Sequence, residues 1–160
     1  MVYPIDITAS LKTIPWFLDL KPESLAQLAA IACVTSFETD AIIFNEGDQN
    51  LSFYVILDGS VQMECTIPGF GKRHMFTAES LDVIGWSSLT PVVRQNTMTA
   101  RVLRPTLVMM FDAQKLMSAC ERDCELGFVI MRRLSNIIAS RFLTHRLQLM
   151  QLLANQPVQQ

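Results

Sequence analysis

Histidine is scarce in this chain: of 160 residues, only His74 and His145 carry an imidazole, and they lie far apart. A histidine-built metal centre normally draws on two or three such ligands, so metal-dependent catalysis is not expected. The four cysteines, Cys33, Cys65, Cys120 and Cys124, contain no CxxC pair. Cys120 and Cys124 have helical i, i+4 spacing, and buried reduced thiols are the expected reading for all four. Charge is also thin, at 18%, while half the residues are hydrophobic. That balance excludes disorder. No uncharged run reaches eighteen residues, which excludes a spanning helix. The start, Met1 to Asp6, has neither a basic region nor an apolar one, so no secretory leader is expected. These absences describe a soluble, cytoplasmic, non-enzymatic chain without metal or cofactor.

What is present suits one domain over residues 1–160. A chain of this length buries roughly 70% of the surface it exposes when unfolded and needs no staples. Net charge is −2, unevenly spread. Residues 1–80 hold 4 basic and 10 acidic side chains, against 9 and 5 in residues 81–160. Beyond Glu125 there are four arginines and no acid. Two readings stand: an anionic ligand or partner for the second half, or mutual attraction of the halves across one fold.

Three regimes succeed one another. Residues 1–33 read as helical, with Pro22 suited to a first turn and Leu25, Leu28, Ala29 and Ala32 at turn spacing. Residues 34–112 read as short strands: Ala41–Phe44, Ser52–Leu57, Ser60–Thr66, Met75–Phe76, Thr97–Leu103 and Leu107–Phe111. Glu46-Gly47-Asp48, Asp58-Gly59, Pro68-Gly69-Phe70-Gly71 and Arg104-Pro105 punctuate them. Asp58-Gly59 predicts a type I′ hairpin, and turns at this spacing predict a compact barrel or sandwich. Residues 113–155 return to helix, and the polar tail Ala154–Gln160 is expected to fray.

The last helix carries the strongest pattern. At 100° per residue, Leu126, Ile130, Met131, Leu134, Ile137, Ile138, Phe142, Leu149, Leu152 and Leu153 share a face about 180° wide. One side of a small barrel does not need so wide a face, so a twin helix in a C2 homodimer is expected. Arg132, Arg133, Arg141 and Arg146 point in different directions, which argues against a nucleic-acid groove and for solvated charges. Arg141 and His145, however, fall inside the apolar face one turn apart. They sit near a ligand or a dimer seam, or the arginine snorkels to solvent.

Ile43-Phe44-Asn45-Glu46-Gly47-Asp48, followed by Phe53 to Val61 with Leu57-Asp58-Gly59-Ser60, resembles the cyclic nucleotide-binding domain of the Crp/Fnr kind. So do Ile14-Pro15-Trp16-Phe17, Ile84-Gly85 and Leu134 to Arg141. The resemblance implies an α+β, mainly β fold: a double-stranded β-helix, a cupin-like jelly-roll barrel, with N-terminal helices and a long C-terminal helix. In that family, backbone N–H groups of a glycine-led short helix face a cyclic phosphate. A following glutamate holds the ribose, and an Arg-Ser or Arg-Thr pair neutralises the phosphate. Here the cassette runs from Gly85 to Thr97, with Trp86 in the glutamate's place, Asn96 in the arginine's and Thr97 at the hydroxyl. Arg94 lies two residues early. Ser87 and Ser88 suit either an anion or helix capping; Trp86 stacks on a base or fills the pocket. His145 maps near the family's base contact.

The candidate ligand residues are therefore Gly85, Trp86, Ser87, Ser88, Arg94, Asn96, Thr97 and His145. Losing the charge-assisted arginine contact costs about ten- to a hundredfold in affinity, so tight cyclic AMP or cyclic GMP binding is not expected. The first reading is a stand-alone sensor whose ligand is another nucleotide or small anion. The alternative is a dimerisation module that has lost its ligand, with Trp86 occupying the cavity. A cupin-type enzyme lacks clustered histidines. Family members that bind DNA continue into a helix-turn-helix, and this chain, ending at Gln160, is expected not to bind an operator directly.

Overall fold

Two long strands carry most of the sheet. The computed structural model describes residues 5–155, so the expectations for the start and for the tail beyond Asn155 lie outside the described residues. After α1 (Ile7–Leu11), a single 3-10 turn (Pro15–Phe17) and α2 (Pro22–Ile31) come β1 (Ala32–Phe37) and β2 (Ile42–Phe44). Then β3 (Ser52–Ile67) and β4 (Gly71–Glu79) precede the two-residue β5 (Val83–Ile84), a second 3-10 turn (Trp86–Leu89) and β6 (Thr99–Asp112). Helices α3 (Ala113–Arg122) and α4 (Cys124–Ala154) close the chain. Strands β3 and β6 pair antiparallel from Ser52↔Asp112 to Glu64↔Thr99. β1 and β2 add to β6, and β4 and β5 to β3. The result is a mainly antiparallel, jelly-roll-like fold whose sheet stays open.

The expected hairpin at Asp58-Gly59 is not formed. Ser52–Leu57 and Ser60–Thr66 are one strand, as are Thr97–Leu103 and Leu107–Phe111 from Thr99 onward. Both long strands bend together at this point, where the register shifts between Ile56 and Asp58 and again up to Val61. Gly59 has φ +130°, and a Cβ there would run into the Thr106 side chain. Thr106 Oγ1 accepts from Ser60 N at 3.2 Å and donates to the Arg104 carbonyl at 2.7 Å. A bulged corner also tolerates Pro105, which has no register partner. Positive φ at a glycine thus served a bend rather than a turn. The true hairpin is at Pro68–Phe70, closed by Ile67↔Gly71.

Helices α1, α2 and α3 pack with the start of α4 against one end of the sheet. Phe17, Phe53, Phe111, Leu11, Leu28, Leu116, Leu126 and Ile130 are fully buried there. Trp16 meets Phe53 at 5.1 Å and Phe17 meets Phe111 edge-on at 5.7 Å. Each such side chain contributes about 1.5–3 kcal/mol by burial. A second cluster, including Ile56, Val61, Met63, Ile84 and Val108, lies within the sheet. Asp123 joins helices far apart in sequence: it caps α4 through Glu125 N and Leu126 N and accepts from Ser24 Oγ at 2.6 Å.

The wide apolar face of α4 divides along its length. Leu126, Val129, Ile130 and Leu134 are buried, and Met131 and Ile137 partly so. Phe142, Leu149, Leu152 and Leu153 are each more than half exposed. At 1.5 Å per residue the 31-residue helix is about 46 Å long. Arg132 and Arg133 are not merely solvated, since both donate to Asp19, at 2.9 and 2.7 Å. The thiols also depart from expectation: Cys120 is buried, but Cys33 and Cys124 are exposed and Cys65 is intermediate. Cys33 faces outward because β1 begins at Ala32, not in a helix. Among the described residues no helix is long and apolar enough to cross a membrane.

Candidate binding site

Between the concave face of the sheet and the middle of α4 is a cavity of about 280 Å³. Its floor and walls are Phe44 of β2, Met63 of β3, Phe76 of β4 and Val83-Ile84 of β5, with Met98 just before β6. Alternation along the strands explains this set: inward positions are apolar, so the lining is greasy. Ile138, Arg141, Phe142 and His145, at i, i+3, i+4 and i+7, form the roof from one stripe of α4. Gly85, Trp86 and Ser87 enter from one side and Asn96 and Thr97 from another.

Local backbone chemistry places the polar side chains. Gly85 adopts φ +68°, and a Cβ there would stand 2.6 Å from the Ser52 carbonyl, so only glycine lets the chain turn this close to β3. The short turn that follows buries Ser87, whose Oγ accepts from Asn50 Nδ2 at 2.6 Å. Asn96 is buried and its backbone is tied on both sides, to Asp48 O and Gly47 N, each at 2.8 Å. Trp86 packs on the helical core and forms a wall; the cavity remains beside it.

The eight candidate residues are therefore not one cluster. Gly85, Trp86, Ser87, Asn96, Thr97 and His145 meet at the cavity. Ser88 does not line it, and its buried Oγ has no hydrogen-bond partner among the described residues. Arg94 is exposed on the loop, held through its carbonyl to Asn50 N at 3.3 Å, and also stands outside the lining. The cation that does reach the cavity is Arg141. Its guanidinium lies over the Phe76 ring, 3.6 Å from the centroid, a favourable cation–π geometry. Burial lowers its pKa, and the charge of Asp82 opposes that. His145 Nδ1 stands 3.1 Å from Gln148 Oε1. Among the described residues no acidic one lines the cavity.

Helical phase had already set Arg141 apart, as a cation inside an apolar face. Phe44, Met63, Phe76 and Met98 carried no comparable signal. They converge only through strand pairing.

A family model, the cyclic nucleotide-binding domain, matches residues 34–123. The chain belongs to that family. The domain's fold is shared by a protein of Geobacter metallireducens GS-15 designated as cyclic nucleotide-binding, at 24% identity and a TM-score of 0.75, covering 87% of this chain and 99% of that one. A cyclic nucleotide-binding domain from Methylobacillus flagellatus KT matches at 21% identity and 0.74, over 86% and 77% of the two chains. A third likeness is a mutant regulatory subunit of a cAMP-independent protein kinase A from Trypanosoma brucei, bound to cAMP in its A site. It is 19% identical at a TM-score of 0.71, over 82% of this chain and 46% of that one. At these identities the likenesses speak for the fold of the domain.

Proposed function

We propose that the chain is a single-domain regulatory sensor of the cyclic nucleotide-binding family, cytoplasmic and non-catalytic, whose ligand is a small anion or nucleotide other than tightly bound cyclic AMP or cyclic GMP. One observation carries this reading: among the described residues the cavity holds Arg141 and no acid, and the family resemblance puts Trp86 and Asn96 at the glutamate and arginine positions. The site can neutralise an anion but lacks the ribose and phosphate contacts of the cassette. The trypanosomal likeness agrees in direction, since one substitution in that cAMP-bound mutant of a cAMP-independent subunit installs an arginine. An open cavity beside Trp86 supports ligand binding over the alternative, a dimerisation module without a ligand.

The module works as a homodimer through a stripe of α4 that is exposed chiefly in its second half. Phe128, Ser135, Phe142 and Leu149 recur every seven residues, and Met131, Ile138, His145 and Leu152 do so three residues later. Two such interleaved series are the seam of a two-stranded coiled coil. Phe142 and His145 belong both to this seam and to the cavity roof, so an occupant touches the dimer helix directly. Direct DNA binding is not part of the reading, because three of the four arginines of α4, Arg132, Arg133 and Arg141, are engaged with Asp19 or Phe76 and the four are not aligned on one face.

Thermal unfolding against a series of cyclic mono- and dinucleotides tests the ligand reading. A ligand at 100 times its dissociation constant stabilises by about 2.7 kcal/mol, a shift of several degrees at this size. Saturating cyclic AMP or cyclic GMP is expected to give no shift of that kind. A clear shift with either would overturn the reading of the cassette.

A further inference from the structure

The charge of the cavity defines its occupant more narrowly than the family does. Arg141 alone in the lining is permanently charged, and it is half-buried. Phe76 covers one face of its guanidinium, leaving the in-plane N–H donors, and none of these has an acceptor among the described residues. A twin α4 supplies no counter-ion, because residues 126–154 contain no aspartate or glutamate. A ligand anion in the cavity meets these donors in place of water.

Most of the remaining lining is apolar: Phe44, Met63, Ile84, Met98, Ile138 and Phe142 surround the space next to Arg141. Ser87 Oγ is already engaged with Asn50, which leaves Asn96, Thr97 and His145 as uncommitted or partly committed polar groups. A sugar ring would bring several hydroxyls, each of which needs a partner once it is desolvated. A phosphate monoester would bring nearly two charges to one cation. A planar carboxylate brings one charge in the geometry that a guanidinium fork receives through two parallel hydrogen bonds.

We infer that the cavity takes an apolar, aromatic monocarboxylate, its carboxylate received by the Arg141 donors and its ring held among Phe44, Met63, Phe76 and Phe142. This inference rests on the ligand-binding reading above and names the ligand class for the same site. The ring of such a ligand lies against aromatic and thioether side chains, which favour edge and offset contacts. Because Arg141 is on α4, the charge of the ligand is read by the same helix that carries the dimer seam.

Titration calorimetry and thermal unfolding of the full chain, using two acid–amide pairs, test it. Benzoate and 1-naphthoate are compared with benzamide and 1-naphthamide, alongside cyclic AMP and inorganic phosphate. At least one acid is expected to bind about ten- to a hundredfold more tightly than its isosteric amide. Arg141→Gln is expected to abolish that difference, and Arg141→Lys to retain part of it. Equal binding of acid and amide overturns the inference, as does binding of cyclic AMP or phosphate without the acids; either result leaves the sensor reading standing. If none of the six probes binds, the inference fails, and the cyclic-dinucleotide series above decides the sensor reading. Should Arg141→Gln not fold, the acid–amide comparison on the unmodified chain decides alone.

Discussion

The two halves of α4 are both rich in apolar residues and meet opposite fates. From Leu126 to Leu134 the helix is pressed into the core, and from Phe142 to Leu153 its large side chains are in solvent. Periodicity does not tell these halves apart, because an amphipathic stripe reports that a face will be covered and not by what. The body of the protein covers the first half. The second half is left exposed, and a second copy is the occupant that its heptad spacing fits. The cavity lies at the junction, where Ile138, Arg141 and Phe142 belong partly to each regime.

The comparison can be broken at three places. The largest effect is expected in the buried half. Ile130→Ala removes a fully buried side chain and leaves a cavity, destabilising the chain by about 2–5 kcal/mol in urea unfolding. A cost below 1 kcal/mol would mean that the first half of α4 is not integral to the core. In the exposed half, Leu149→Arg is expected to convert the dimer to monomer in sedimentation and to remove the dependence of Tm on protein concentration. Stability of the dilute chain should change by less than about 0.5 kcal/mol. Sedimentation of the unmodified chain as monomer alone at high micromolar concentration would end the dimer reading.

The smallest effect concerns the start of α4. Ser24, and then the backbone N–H groups of Leu126 and Glu125, favour the ionised carboxylate and hold the Asp123 pKa below its usual value. A carboxyl whose folded pKa is depressed stabilises the fold above its unfolded pKa, about 3.9, and that contribution is lost as pH falls through the folded value. Asp123→Asn keeps a capping side chain but removes the charge. A Tm drop of a few degrees is expected at pH 7, shrinking below pH 4 in thermal scans. A drop independent of pH would assign the effect to geometry instead of charge.

Much of the architecture was legible. The order of helices, glycine-punctuated strands and a long last helix, with the glycine-turn motifs, identified the fold family; that Gly85 turns with positive φ against β3 came from the structure. The corner at Asp58-Gly59 was misread because a positive-φ glycine serves a hairpin and a bulged bend equally well, and only the register against Arg104 and Thr106 separates them. At the site, six of the eight candidates reached the cavity. Arg94 did not, because two residues of offset on a loop turn a side chain from cavity to solvent.

By itself, then, the sequence determined the family and the surplus of apolar surface on α4. These follow from residue types at short-range spacing, which local backbone geometry converts directly into faces and turns. Only the tertiary structure decided which half of α4 is buried and that Arg141, not Arg94, is the cation in the cavity. It also brought Phe44, Met63, Phe76 and Met98 around one space. Those outcomes depend on strand register and on where a helix crosses a sheet, and both are set by the packing of residues distant along the chain.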